Sequence, residues 1–104
     1  FISVLFHSQL SADENTLFVW HVGVLVPLKQ GGILFVEKLA FQEPYQAIKF
    51  QNRTELSDYL MNRYDVEWDQ PTAIPFIMEN DGLLEGYRAN PYKKKWFLTS
   101  FFII

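Results

Sequence analysis

The densest apolar stretch in the chain is Leu17-Phe-Val-Trp-His-Val-Gly-Val-Leu-Val26, where nearly every position is β-branched, aromatic or leucine. That content predicts a strand. Pro27-Leu-Lys-Gln-Gly-Gly32 then reads as a turn and Ile33 to Leu39 as the returning strand, which together make a β-hairpin. Both faces of this hairpin are apolar, so both are expected to be covered. Upstream, Phe1 to Phe6 predicts a first strand and Ser8 to Asn15 a polar loop.

Further along, Asn52-Arg-Thr-Glu55 has the form of a capping box, with Asn52 as N-cap. Leu56, Tyr59, Leu60 and Tyr64 follow at helical spacing and predict one amphipathic helix of about 11 residues. The acidic stretch from Asp65 to Thr72, with Pro71, ends it. Pro75 to Met78 and Leu83-Leu84 flank Glu79-Asn-Asp-Gly82, a second hairpin turn. Residues 96–103 read as a last strand. The fold class is α+β, an antiparallel sheet with at least one packed helix, and neither repeats nor low-complexity linkers interrupt it.

A length of 104 residues suits one domain, and 49% hydrophobic with 20% charged residues excludes disorder. Nine basic and twelve acidic residues leave a net charge of −3, which argues against nucleic acid as a partner. The charge is uneven, because Arg88 and Lys93 to Lys95 lie together beyond the last acid, Glu85. The apolar run behind those lysines, Trp96 to Ile104, is broken by Thr99 and Ser100 and falls short of the roughly 20 residues of a membrane-spanning helix. It reads as a core or interface strand. Phe1 to Phe6 looks like a strand already under way, without initiator Met or signal-like segment. The chain is therefore expected to be a single domain or the C-terminal piece of a larger one. The missing N-terminal segment, or a second copy, is expected to cover its apolar edges.

The one candidate for chemistry is His21, in Trp20-His-Val-Gly23. Strict alternation puts it on one face with Leu17, Val19, Gly23 and Leu25. If the strand stops at Val26 and the loop runs from Pro27 to Gly31, Val26 pairs with Gly32 and His21 falls opposite Glu37. A two-residue Gly31-Gly32 turn would bring Gln42 there instead. A carboxylate beside an imidazole fixes its tautomer and suits a general base, although such a pair also serves structure alone.

His21-Val-Gly-Val-Leu-Val26 followed by Ile33-Leu-Phe-Val-Glu37 resembles the papain-like NlpC-type cysteine peptidase and amidase superfamily. That resemblance implies His21 as base, Glu37 as its orienting partner, and the C-terminal half of a papain-like fold. The longer stretch, with Phe35 to Gln46 and Pro75 to Asn80, resembles an uncharacterised family of secreted or lipid-anchored proteins of Gram-positive bacteria, a domain of unknown function, over about residues 17–85. The superfamily needs a cysteine nucleophile, and the chain contains none. Ser8 and Ser11 have no supporting signature, so the thiol would come from a segment outside this chain, which alone should be silent.

Other features carry less. His7 reads as a solvated loop edge, and no metal site converges from His7, His21 and Glu37. Asp65, Glu67 and Asp69 lack the glycine and distal glutamate of a calcium loop. Tyr45, Trp68, Tyr87 and Tyr92 read as core or rim aromatics before they read as a ligand groove. The resulting expectation is the histidine-bearing part of a secreted or cell-surface thiol hydrolase, lipid-anchored through an absent N-terminal segment. It would act on a peptide, a cell-wall cross-link or a lipid acyl group, without cofactor or nucleic acid. The alternatives are a non-catalytic binding domain on the same scaffold and a structural His–Glu pair.

Overall fold

The computed structural model describes residues 1–11, 14–66 and 74–92, with only the backbone for 7–11 and 14–16. Its elements are β1 (Ile2–Ser11), β2 (Glu14–Pro27), β3 (Ile33–Lys38), β4 (Tyr45–Phe50), α1 (Arg53–Tyr64), β5 (Phe76–Glu79) and β6 (Gly82–Leu83). The six strands form one sheet in the order β4-β3-β2-β1-β5-β6, each neighbouring pair antiparallel. The α+β expectation of an antiparallel sheet with a packed helix therefore holds. The predicted strand at 96–103 lies outside the described residues.

One face of the sheet carries the core. Ile2 and Val4 from β1, Ile33 and Phe35 from β3, Ile77 from β5 and Leu84 pack against Leu56, Leu60 and Met61 of α1. The helix starts as its sequence predicts: the Asn52 side chain accepts a hydrogen bond from the Glu55 amide at 2.9 Å, and the Glu55 carboxylate accepts from the Gln51 amide at 2.7 Å. Its buried stripe is Leu56, Ser57, Leu60 and Met61, with Tyr59 and Tyr64 at the margins. The chain after β6 straps α1 down. The Arg88 amide donates to Ser57 Oγ at 3.2 Å, the Arg88 side chain pairs with Asp58, and the Asn90 amide donates to Asp65 Oδ2 at 3.0 Å.

The β2–β3 hairpin differs from the expected register by two residues. Pro27 belongs to β2 and pairs with Ile33, so the five-residue loop is Leu28 to Gly32, closed by Leu28 N–H to Gly32 O at 3.0 Å. Proline is tolerated there because the position ends the strand. Glu37 thus stands opposite Gly23, not His21, and Gln42 lies in the exposed β3–β4 connection. A shift of two keeps every side chain on its face. Gly23 faces the Phe35 ring closely. A Cβ there would collide with that ring and lie 2.9 Å from the Val36 carbonyl oxygen. Gly23→Ala is accordingly expected to destabilise the domain by about 1–3 kcal/mol, read as a lower urea midpoint.

Further expectations are corrected. The segment from Ser8 to Asn15 is not a simple loop, since β1 runs to Ser11 and β2 starts at Glu14; backbone pairing extends beyond the apolar core. His7 is accordingly within β1, paired with Leu17. Leu17 and Val19 do not share His21's face, because β2 carries one extra residue between the pairs Val4↔His21 and Leu5↔Val19. That bulge turns Trp20 to the same side as His21, and both rings lie 5.7 Å from the Tyr64 ring. Finally, the helix covers only one face of the hairpin. Val22, Val24 and Val26 on the other are 50%, 41% and 42% exposed.

Candidate functional site

Glu37 is the centre of the site. It projects from β3 toward α1, is 1% exposed, and accepts hydrogen bonds on both oxygens. His21 Nε2 donates to Oε1 at 2.6 Å across the diagonal of the β2–β3 pair. Gln46, directly opposite on β4, donates from Nε2 to Oε2 at 2.8 Å. From the helix, Arg63 donates from Nη1 to Oε1 at 2.9 Å and from Nη2 to Oε2 at 3.1 Å, and the Tyr59 hydroxyl donates to Oε2. Tyr59 and Arg63 are four residues apart and therefore share a helix face. The Arg63 guanidinium also lies 4.6 Å from the Tyr59 ring centroid and hydrogen-bonds its hydroxyl.

The charge states follow from these contacts. Burial pushes the Glu37 carboxyl upward, but the bonds from Arg63, Tyr59, Gln46 and His21 outweigh it and hold the group down at about 2. Burial, with the neighbouring carboxylate, pushes the Tyr59 phenol up to about 12. Hydrogen bonding to Glu37 raises Arg63 above the ordinary arginine value. At neutral pH the centre is a carboxylate facing a guanidinium and a protonated phenol.

An ionised Glu37 can only accept, so the His21 nitrogen facing it, Nε2, carries the proton. Nδ1 of the neutral ring then presents a lone pair. Nδ1 bonds no other described residue, and the His21 side chain as a whole is 9% exposed. The imidazole packs between Tyr64, 5.7 Å away, and the edge of Phe35, 6.4 Å away. Trp20, stacked on Tyr64 and 4.2 Å from Phe6, extends an aromatic row beside it, which Phe18 continues.

The structure brings together both residues singled out from the sequence, His21 and Glu37. It adds Gln46, Tyr59 and Arg63, which sequence reasoning missed. Tyr59 looked like a core position, and the inward Gln46 hid the alternation of β4. A Tyr–Arg pair at helical spacing across from an inward glutamate was the available signal.

The remaining candidates do not join the site. Asp65 caps the C-terminus of α1 and is buried at 3% exposure, while Glu67 and Asp69 lie outside the described residues. Tyr45 and Tyr92 are exposed, Tyr87 donates to the Pro75 carbonyl at 2.9 Å, and Trp68 is outside the description. The side chains of His7, Ser8 and Ser11 are also outside it. Among the described residues, no group of three or more His, Cys, Asp or Glu could hold a metal ion.

A family model described as a domain of unknown function, DUF4300, matches residues 1–84. The chain belongs to the DUF4300 family. The match takes in all six strands' worth of sheet up to β6 and the whole of α1, hence every residue of the Glu37 centre. No curated protein and no solved structure matches this DUF4300 domain. Among its described residues, no helix is long and apolar enough to cross a membrane.

Proposed function

We propose that this DUF4300 domain is the histidine-bearing part of a thiol-dependent hydrolase of amide or acyl bonds, with the nucleophilic cysteine on a segment outside these 104 residues. The observation that carries the reading is the His21 Nε2 contact with an ionised, buried Glu37, which leaves Nδ1 as the nitrogen that presents a lone pair. In the reaction, Nδ1 takes the thiol proton and the thiolate adds to the substrate carbonyl. The imidazolium returns that proton to the leaving amine or alkoxide as its bond to carbon breaks. Water, deprotonated by the same nitrogen, then adds to the thioester carbonyl; the carbon–sulfur bond breaks, the carboxylic acid leaves, and the imidazolium returns its proton to the thiolate. Glu37 holds the tautomer, and Arg63 and Tyr59 hold Glu37. The resemblance to the papain-like superfamily supports this assignment of roles and a substrate such as a peptide, cell-wall cross-link or lipid acyl group; a secreted or lipid-anchored location is supported only by the resemblance to the Gram-positive family.

A second reading rests on the bidentate Arg63 bond. A carboxylate already neutralised by a guanidinium lends less to an imidazolium, and the same network would serve a binding domain by fixing α1 on the sheet.

The intact gene product separates the two. The hydrolase reading requires a cysteine at the start of an apolar helix and fails without one. With a thiolate paired to His21, labelling by iodoacetamide at pH 6 is expected to fall about 100-fold in His21→Ala, toward the rate of an ordinary thiol. Glu37→Gln should slow it less. Unchanged labelling in a folded His21→Ala protein would favour the binding domain.

A further inference from the structure

Strand β4 ends the six-stranded sheet, and among the described residues only β3 pairs with it. Alternate residues of an antiparallel edge strand turn their N–H and C=O groups away from the neighbour, so β4 offers a row of them along its open side. No backbone hydrogen bond from another described segment closes that row. The strand also lacks the usual protections of an edge. It pairs with β3 over Tyr45 to Phe50 without a bulge, contains no proline, and carries one charged residue, Lys49. Its inward residues, Gln46, Ile48 and Phe50, are only half-buried, because the buried stripe of α1 packs on β1, β3 and β5. Between β4 and α1 lies a cavity of about 340 Å³, lined by Phe50, Glu55, Asp58, Tyr59, Asn62 and Tyr92. No residue of β3 lines it, which puts it toward the open edge, and its four helix residues form one flank of α1.

We infer that this edge docks an extended peptide, which adds to the sheet as a strand beside β4 and places a lysine or arginine side chain in the cavity. Main-chain hydrogen bonds to β4 give such a complex its affinity, and the cavity gives it a preference among side chains. The lining decides that preference. It has two carboxylates, one amide and three aromatic rings, and no cation. The rings suit the aliphatic stem of a basic residue, and the carboxylates suit its charge. Asp58 is shared with Arg88 through bonds of 2.8 and 2.6 Å, whereas Glu55 uses only Oε1, on the Gln51 amide, and keeps Oε2 for an incoming cation. Successive residues of the peptide fall on opposite faces, so those flanking the basic one lie beside Tyr45 and Ala47, where β-branched side chains fit. A second copy of this chain matches the cavity less well. Antiparallel pairing of two β4 strands turns Gln46, Ile48 and Phe50 to the helix side and leaves Lys49 on the other, so no cation reaches Glu55. The edge is separate from His21, and the inference holds with or without a thiol there.

Amide hydrogen exchange of the 104-residue chain, followed by nuclear magnetic resonance, tests the inference with the peptide acetyl-Thr-Val-Lys-Val-Thr-amide. In the free chain, the β4 amides that face away from β3 should exchange about tenfold faster, or more, than those bonded to it. A dissociation constant of about 100 μM is expected, so about 1 mM peptide should slow the outward amides about tenfold. Glutamate in place of the peptide's lysine should weaken binding about tenfold or more. Glu55→Gln, which keeps the hydrogen bond at the start of α1, should weaken the lysine peptide about threefold. Outward β4 amides already slow in the free chain would overturn the inference, by showing the edge covered by another part of this chain or by a second copy. Outward amides unchanged at about 1 mM peptide, or equal binding of the lysine and glutamate peptides, would overturn it as well.

Discussion

Arg63→Met is expected to destabilise the domain by about 3 kcal/mol, because it strips the counter-charge from a fully buried carboxylate, although Arg63 itself is 28% exposed. Glu37 has no exposure to fall back on, and Arg63 supplies two of its hydrogen bonds and its counter-charge. Tyr59, Gln46 and His21 would remain but cannot neutralise the carboxylate. The Arg53–Glu79 pair is the control. It is also bidentate, at 2.7 and 2.9 Å, yet its side chains are 34% and 26% exposed, so Arg53→Met should cost at most about 1 kcal/mol. Chemical denaturation of both variants gives the comparison. A double variant, Glu37→Met with Arg63→Met, should recover much of the loss, because the desolvation of both charges disappears with them.

Acid is expected to weaken the fold through the same carboxylate. Its folded value of about 2 lies below the ordinary 4.5, so the folded state prefers the ionised form. The stability this contributes is complete above pH 4.5 and is lost as the pH falls through about 2. The whole loss amounts to about 3 kcal/mol. Glu79, lowered by Arg53, adds a smaller loss in the same direction. Urea midpoints between pH 6 and about 2 should fall steeply in the wild type and more gently in Glu37→Gln. Parallel curves would mean that Glu37 is not the group responsible.

The elements legible in the sequence are those whose own residues specify them. Asn52 and Glu55 mark the start of α1, Gly31-Gly32 the first hairpin and Asn80 to Gly82 the second, where Asn80 takes a positive φ of 55°. Strand β4 was not legible because its inward residues begin with Gln46, whose reason for facing inward is a glutamate on the next strand. Only tertiary structure supplies that reason. The bulge at Trp20 was hidden similarly, since an extra residue in one strand leaves no mark until its partner's register is known. His21 and Glu37 met despite a misplaced turn because the error was an even number of residues, and period-two geometry preserves the face. Tyr59 and Arg63 were readable as helix positions but not as donors, for the acceptor lay 22 and 26 residues away.

A base at this site needs His21 to hold its proton at Nε2 and offer Nδ1. Long-range nitrogen–proton correlation spectra of the imidazole, recorded with the ring neutral, report this directly. The expected result is a single Nε2–H tautomer with Nδ1 at the shift of an unprotonated nitrogen, and loss of that preference in Glu37→Gln. A wild-type ring found as the Nδ1–H tautomer, or as an even mixture, would contradict the Glu37 contact and the base assigned to it.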